Sequence, residues 1–169
     1  MRWLRELVFT VSAGLALLSS GVASAKAWDT WESLSGLNTL SVEILGADTN
    51  GAKWAGLTRE SVEHHLRYVL QKNHMTLTND VHRSMGTVEL AIFITASKEN
   101  DLCLFHTELR VVSAAKIVAT KRFDPKAIIW ETGRTGLSGQ KNAAAGIQQS
   151  ILFLAKDLAL EWNKANPRP

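Results

Sequence analysis

Cysteine is almost missing from this chain of 169 residues: Cys103 stands alone, so no internal disulfide can form and stability must come from packing. Proline occurs only three times, and no interior stretch is rich in Pro, Gly or Ser, so nothing marks a linker between two domains. A second long apolar run is lacking, and so is any internal repeat. The nucleophile elbow GxSxG, the phosphate loop GxxxxGK followed by Ser or Thr, and the dinucleotide fingerprint GxGxxG are also absent. Their absence removes the best-defined hydrolase and nucleotide-binding signatures.

What is present begins at the N-terminus. Arg2 and Arg5 precede an apolar run from Leu7 to Leu18, and Ala23-Ser24-Ala25 supplies the small residues a signal peptidase accepts. That run is shorter than the roughly 20 residues a bilayer-spanning helix needs. Residues 1–25 are therefore expected to be a signal peptide cleaved after Ala25, with no cysteine nearby to carry a lipid. The mature chain is expected to be soluble, free of any transmembrane span, and periplasmic or secreted. Losing Arg2, Arg5 and Glu6 leaves 17 basic against 15 acidic side chains, a net charge of +2. Charge so evenly balanced lacks the concentrated footprint of a nucleic-acid binder, and export disfavours that partner further.

Residues 26–36 read as a loosely ordered lead-in carrying Trp28 and Trp31, and residues 37–166 as one α+β domain. Leu40, Val42 and Ile44 alternate with Ser41 and Glu43, the period of a half-buried strand. A polar loop through Gly46, Asp48, Asn50 and Gly51 is expected next. Thr58 can cap a helix whose Val62, Leu66, Val69 and Leu70 share a face, with Asn73 as its stop. Met75 and Leu77 suggest a short strand, and TVELAIFITAS a central one. LCLFHTELRVV, KIVATKRF and AIIWET follow as strands, with a turn near Ser113 to Ala115. Ile147, Ile151, Leu154, Leu158 and Trp162 then repeat at helical spacing over about Asn142 to Asn163, before Pro167. The expected architecture is a mostly antiparallel sheet of five or six strands with two helices on one face, in the order β-α-β-β-β-β-β-α. Phe153 and Leu160 lie off the main stripe of the last helix. Contact with the Trp-bearing lead-in is the preferred account of them, and a partner surface the alternative.

The five histidines do not make a metal site by spacing. His64 and His65 are adjacent and diverge on a helix, and His74 is out of phase with both, whereas a helical metal site needs ligands at i and i+3 or i+4. Cys103 and His106 fall on opposite faces of one strand, so neither activates the other, and Cys103 alternates with Phe105 and Leu109 as a buried, inert thiol does. No metal, no cofactor and no catalytic residue is assigned. The run WETGRTGLSGQKN places Gly133, Gly136 and Gly139 between a strand and a helix. Turn chemistry with positive φ is the plainer reading there, with Arg134, Gly136, Gly139 and Lys141 as a candidate anion contact. The basic residues Arg110, Lys116, Lys121, Arg122, Lys126, Arg134 and Lys141 are interrupted by Glu108, Asp124 and Glu131, as on a solvated sheet face.

The stretches GLTRESVEHHLR and IIWETGRTGLSGQKN, with the ending WNKANP, resemble an uncharacterised family of small exported bacterial proteins bearing a W-[D/E]-T-G-x-x-G motif before a C-terminal helix. Gly56, Leu57, Thr58, Trp130, Glu131, Thr132, Gly133, Gly136, Asn142, Asn166 and Pro167 are the matching positions. The resemblance implies a periplasmic setting, and no activity, cofactor or catalytic residue comes with it.

Two functions of different class are left by these residues. One is a non-enzymatic envelope protein that binds another envelope protein or an amphiphilic ligand, with Trp28, Trp31, Phe153 and Leu160 as the candidate surface and the space between helices and sheet as a possible ligand pocket. The other is a small periplasmic enzyme whose site gathers around Gly133 to Asn142 with His82 or His106.

Overall fold

The computed structural model describes residues 30–97, 99, 101–117 and 120–167, so the expected signal peptide and Trp28 lie outside the described residues. A 3-10 turn, Thr30–Leu34, leads into strand β1 (Leu40–Leu45), helices α1 (Asn50–Trp54) and α2 (Arg59–Lys72), and a second 3-10 turn, Val81–Arg83. Strands β2 (Gly86–Ser97), β3 (Leu102–Ile117) and β4 (Arg122–Gly139) follow, and helix α3 (Gln140–Ala165) ends the chain. The sheet runs in the order β1-β2-β3-β4. β1 pairs parallel with β2 across the helical connection, and the other two pairings are antiparallel.

The local reasons for these elements are visible in the chain. Thr58 and Ser61 form a reciprocal capping box at the start of α2, and Asn73 closes it with its Nδ2 on the Val69 carbonyl at 2.7 Å. On one face of the sheet Val88, Leu90 and Ile92 stand beside Cys103, Phe105 and Leu109, all buried. α3 lies over β3 and β4 and against α2, which leans on β1. The space between helices and sheet is filled by Leu66, Leu90, Leu109, Ile147, Ile151, Leu154 and Leu158, each fully buried. Each contributes about 1.5–3 kcal/mol of burial, and they leave no room for an amphiphile in that layer. Thr107 and Ser150 are buried too, and they satisfy each other with a 2.6 Å hydrogen bond between strand and helix.

Several expectations need correcting. The sheet has four strands rather than five or six, because β3 and β4 absorb three expected strands and the turn near Ser113 to Ala115 is instead a pair of irregularities in a continuing ladder. Such bulges bend a strand without ending it. Met75 and Leu77 make no strand; Leu77 forms one isolated bridge to Leu40. The polar loop after β1 contains α1, capped by the Thr49 hydroxyl. The described part of the lead-in begins with the 3-10 turn Thr30–Leu34. Asn166 ties it to the end of α3 by accepting from the Gly36 amide at 2.8 Å and donating to the Leu34 carbonyl at 3.0 Å.

The largest correction concerns Gly133, Gly136 and Gly139. None forms a turn: all three lie in β4, opposite Glu108, Phe105 and Leu102, and among the described residues the positive-φ glycines are Gly36, Gly46 and Gly56. Gly136 is bare because the Phe105 ring folds over it from the neighbouring strand, occupying the place a Cβ would take. A Cβ at Gly133 would meet the His106 ring at 3.0 Å, and one at Gly139 would make an ordinary contact at 3.4 Å. The three positions should therefore respond differently to alanine. Gly136→Ala should destabilise by about 1–3 kcal/mol, the cost of overpacking, Gly133→Ala by less, and Gly139→Ala hardly at all, as read by denaturant unfolding. Equal losses at all three would restore the turn reading.

Candidate interaction surface

The candidate residues from the sequence fall into two groups. Trp31 is half-buried against the core, in a 3-10 turn that packs on α3 and β4, and Ser33 donates to the Ile129 carbonyl at 2.6 Å. Phe153 stays 41% exposed and Leu160 59% exposed, so the described lead-in residues do not cover them. Arg134 stacks its guanidinium on the Phe153 ring at 4.6 Å. Leu160 borders a shallow hollow of about 220 Å³ with Trp130, Thr132, Asp157 and Lys164. Both apolar side chains thus sit on the flank of α3 that faces the outer edge of β4.

The anion-contact residues do not converge. Arg134 and Gly139 are five strand residues apart, about 16 Å at the rise of an extended chain. At the α3 N-terminus, Asp101 accepts from the Gln140 amide at 3.3 Å. The chain's own carboxylate stands where an anion would bind.

The residues of the alternative enzyme site are not brought together either. His106 lies on the outer face of the sheet, its Nδ1 2.9 Å from the Thr135 hydroxyl and its ring 6.2 Å from that of Phe93. His82 is in the 3-10 turn ahead of β2, whose start pairs with Val112, far along the ladder from the Gly133 to Asn142 segment. Cys103 faces the core, on the opposite side of β3 from His106, and burial pushes its thiol up. Among the described residues no three His, Cys, Asp or Glu side chains gather as metal ligands. No described helix is long and apolar enough to cross a membrane.

The residues of the Trp-Glu-Thr-Gly stretch and of the WNKANP ending mostly hold the fold. Trp130 donates to Glu161 at 2.8 Å, Trp162 to the Leu37 carbonyl at 2.9 Å, and Asn166 clamps the lead-in.

One surface escaped the sequence reading. The sheet face away from the helices exposes Phe93, Leu102, Leu104 and Leu137, with Phe93 58% and Leu137 66% exposed. The ion pairs of Arg110 with Glu89 at 3.0 Å and Glu108 at 3.5 Å lie on the same face. The signal was available in the alternation of β2 and β3, where Phe93, Leu102 and Leu104 occupy the polar-side positions.

No protein-family model and no characterised protein sequence matches this chain. Among solved structures, it is similar to a variant PelC dodecamer from Paraburkholderia phytofirmans at 11% identity, over 73% of this chain and 87% of that one, with a TM-score of 0.46. It is also similar to a minor lipoprotein from Acinetobacter baumannii at 13% identity, over 80% of this chain and 99% of that one, with a TM-score of 0.38.

A raised thiol with no exposed surface should be inert in the native protein. A thiol-specific reagent is expected to modify Cys103 only as fast as the protein unfolds. Rapid modification under native conditions would place a reactive thiol where this structure has a core residue.

Proposed function

We infer that this chain is a non-enzymatic interaction module of the cell envelope, exported by residues 1–25. Its working surface is the outer edge of β4 with the adjoining flank of α3. The observation that carries this is the coincidence of exposed Leu137, Phe153 and Leu160 with the terminal strand of the sheet. Apolar side chains beside a strand edge that no described strand pairs with are costly to leave in water and suit a protein partner that brings a strand or a helix. A protein fits this surface better than an amphiphile, because the layer between helices and sheet is full and the exposed apolar groups follow a strand edge, with a hollow of about 220 Å³ beside Leu160. The separation of His82, His106 and Cys103 from one another supports binding over catalysis.

Two measurements test this reading. The protein recovered from the envelope should begin at Lys26, as read by N-terminal sequencing, and a chain still beginning at Met1 would remove the export step. Photo-crosslinkers placed in living cells at Leu137, Phe153 and Leu160 should each give the same discrete adduct. One at Tyr68, exposed on α2, should not. Adducts no stronger at the three positions than at Tyr68 would sink the interaction surface.

A further inference from the structure

The two edges of the sheet are not alike. At β1, Leu40 is already paired: its amide donates to the Thr76 carbonyl at 3.0 Å and its carbonyl accepts from Thr78 at 2.9 Å. At the first half of β4, Pro125, Lys126, the register irregularities and the Ser33 cap on Ile129 all discourage strand addition. From Glu131 to Gly139 none of these protections is present among the described residues. That half also holds its backbone groups in a usable row. Thr107 turns its carbonyl toward β4, 3.4 Å from the Cβ position of Gly133, and its hydroxyl donates to the Arg134 carbonyl at 3.4 Å. Arg134 thus faces β3, and strand alternation aims the amides and carbonyls of Gly133, Thr135 and Leu137 outward.

We propose that this edge pairs antiparallel with the same edge of a second copy about a two-fold axis at Thr135, joining two four-stranded sheets into one. The inference rests on the interaction surface described above and names its occupant. A two-fold axis normal to the sheet sets residues of equal parity opposite each other. Centred on Thr135, the ladder opposes Thr135 to Thr135, Leu137 to Gly133 and Glu131 to Gly139 on the outer face, and Arg134 to Gly136 on the other. Leu137 then covers a bare glycine, as Phe105 covers Gly136 within the chain, and no like charges meet. Centred on Arg134, two guanidinium groups would oppose each other. Centred on Gly136, glycine would face glycine at both Gly136 and the Gly133 to Gly139 pair, and the ladder would lose those contacts. Centred on Gly133, the ladder would run into Ile129, where Ser33 sits.

The helix layer supports the same axis independently. α3 lies over β3 and β4, so with strands about 4.8 Å apart the two α3 helices would run roughly 10 Å from each other, within reach of helix packing. Phe153 is held beside Arg134, the neighbour of Thr135, at 4.6 Å. It would therefore meet its counterpart close to the axis, and the exposed flank carrying Leu160 would be covered.

Sedimentation of the protein purified from the envelope, over a concentration series, should give twice the monomer mass. Leu137→Lys and Phe153→Glu, both at exposed positions, should each raise the dissociation constant about tenfold or more, the effect of losing an interface anchor. Phe93→Glu, on the outer face away from the edge, should leave it unchanged. Thr135→Cys should form a disulfide between two copies, since an antiparallel hydrogen-bonded pair sets its Cα atoms about 5.5 Å apart, and Leu137→Cys should not. A monomer at every concentration, a dimer indifferent to both edge variants, or a dimer that Thr135→Cys fails to link would overturn the proposal. If the monomer still gives a heavy adduct from Leu137 and Phe153 in cells, the surface stands and only its occupant is wrong. If those adducts are absent as well, the surface falls with it.

Discussion

The Phe105 ring is the wedge on which the C-terminal half of the molecule is built. It stands on β3, folds over Gly136 of β4, and is touched from above by Gly146 of α3, whose Cβ position lies 3.4 Å from the ring. Only the glycine of β4 is a steric necessity. A Cβ at Gly136 would force the ring out of its place, whereas one at Gly146 would meet it at ordinary contact distance. Because the ring fits, β4 can continue past the Trp130 region to Gly139, and α3 can begin at the next residue and double back across the sheet. The buried bond between Thr107 and Ser150 fixes the same helix one register step away.

That arrangement determines which surface is left. A strand that runs so far beyond the lead-in carries an edge that nothing in the described chain covers, and α3, lying over β3 and β4, leaves one flank above that edge. Arg134 adds to this by holding the Phe153 ring from below. The ionisable groups meanwhile are distributed over opposite faces and ends of the sheet, with Cys103 inside, His106 outside and His82 at the far end. The surface this arrangement leaves exposed is the edge of β4 with the flank of α3.

Much of this could be read from the residues alone, and the failures are instructive. α2 was legible from Thr58 to Asn73 because cap, stripe and stop all agree. β2 and the start of β3 were legible from alternation. β4 was not, because glycine at every third residue runs out of phase with a period of two and resembles turn composition. Only the cross-strand partner, Phe105, explains why bare backbone belongs there. The bend at Ser113 to Ala115 reads as a turn because small residues serve bulges and turns equally well, and the ladder decides between them through pairing with β4. α1 is too short to show a stripe, although Thr49 offered a cap. Phe153 and Leu160 stood out by sequence position alone. Their relation to a strand edge did not, since it depends on α3 folding back over β4.

Residue-resolved amide hydrogen exchange through β4 addresses the central claim most directly. The account expects the amides of Arg134, Gly136 and Ser138, which face β3, to exchange slowly at all concentrations. Those of Gly133, Thr135 and Leu137, which face outward, should exchange fast in dilute protein and slowly as copies associate. Uniformly fast exchange from Gly133 to Gly139 would mean that no strand exists there, and the wedge, the edge and the surface built on it would all be contradicted.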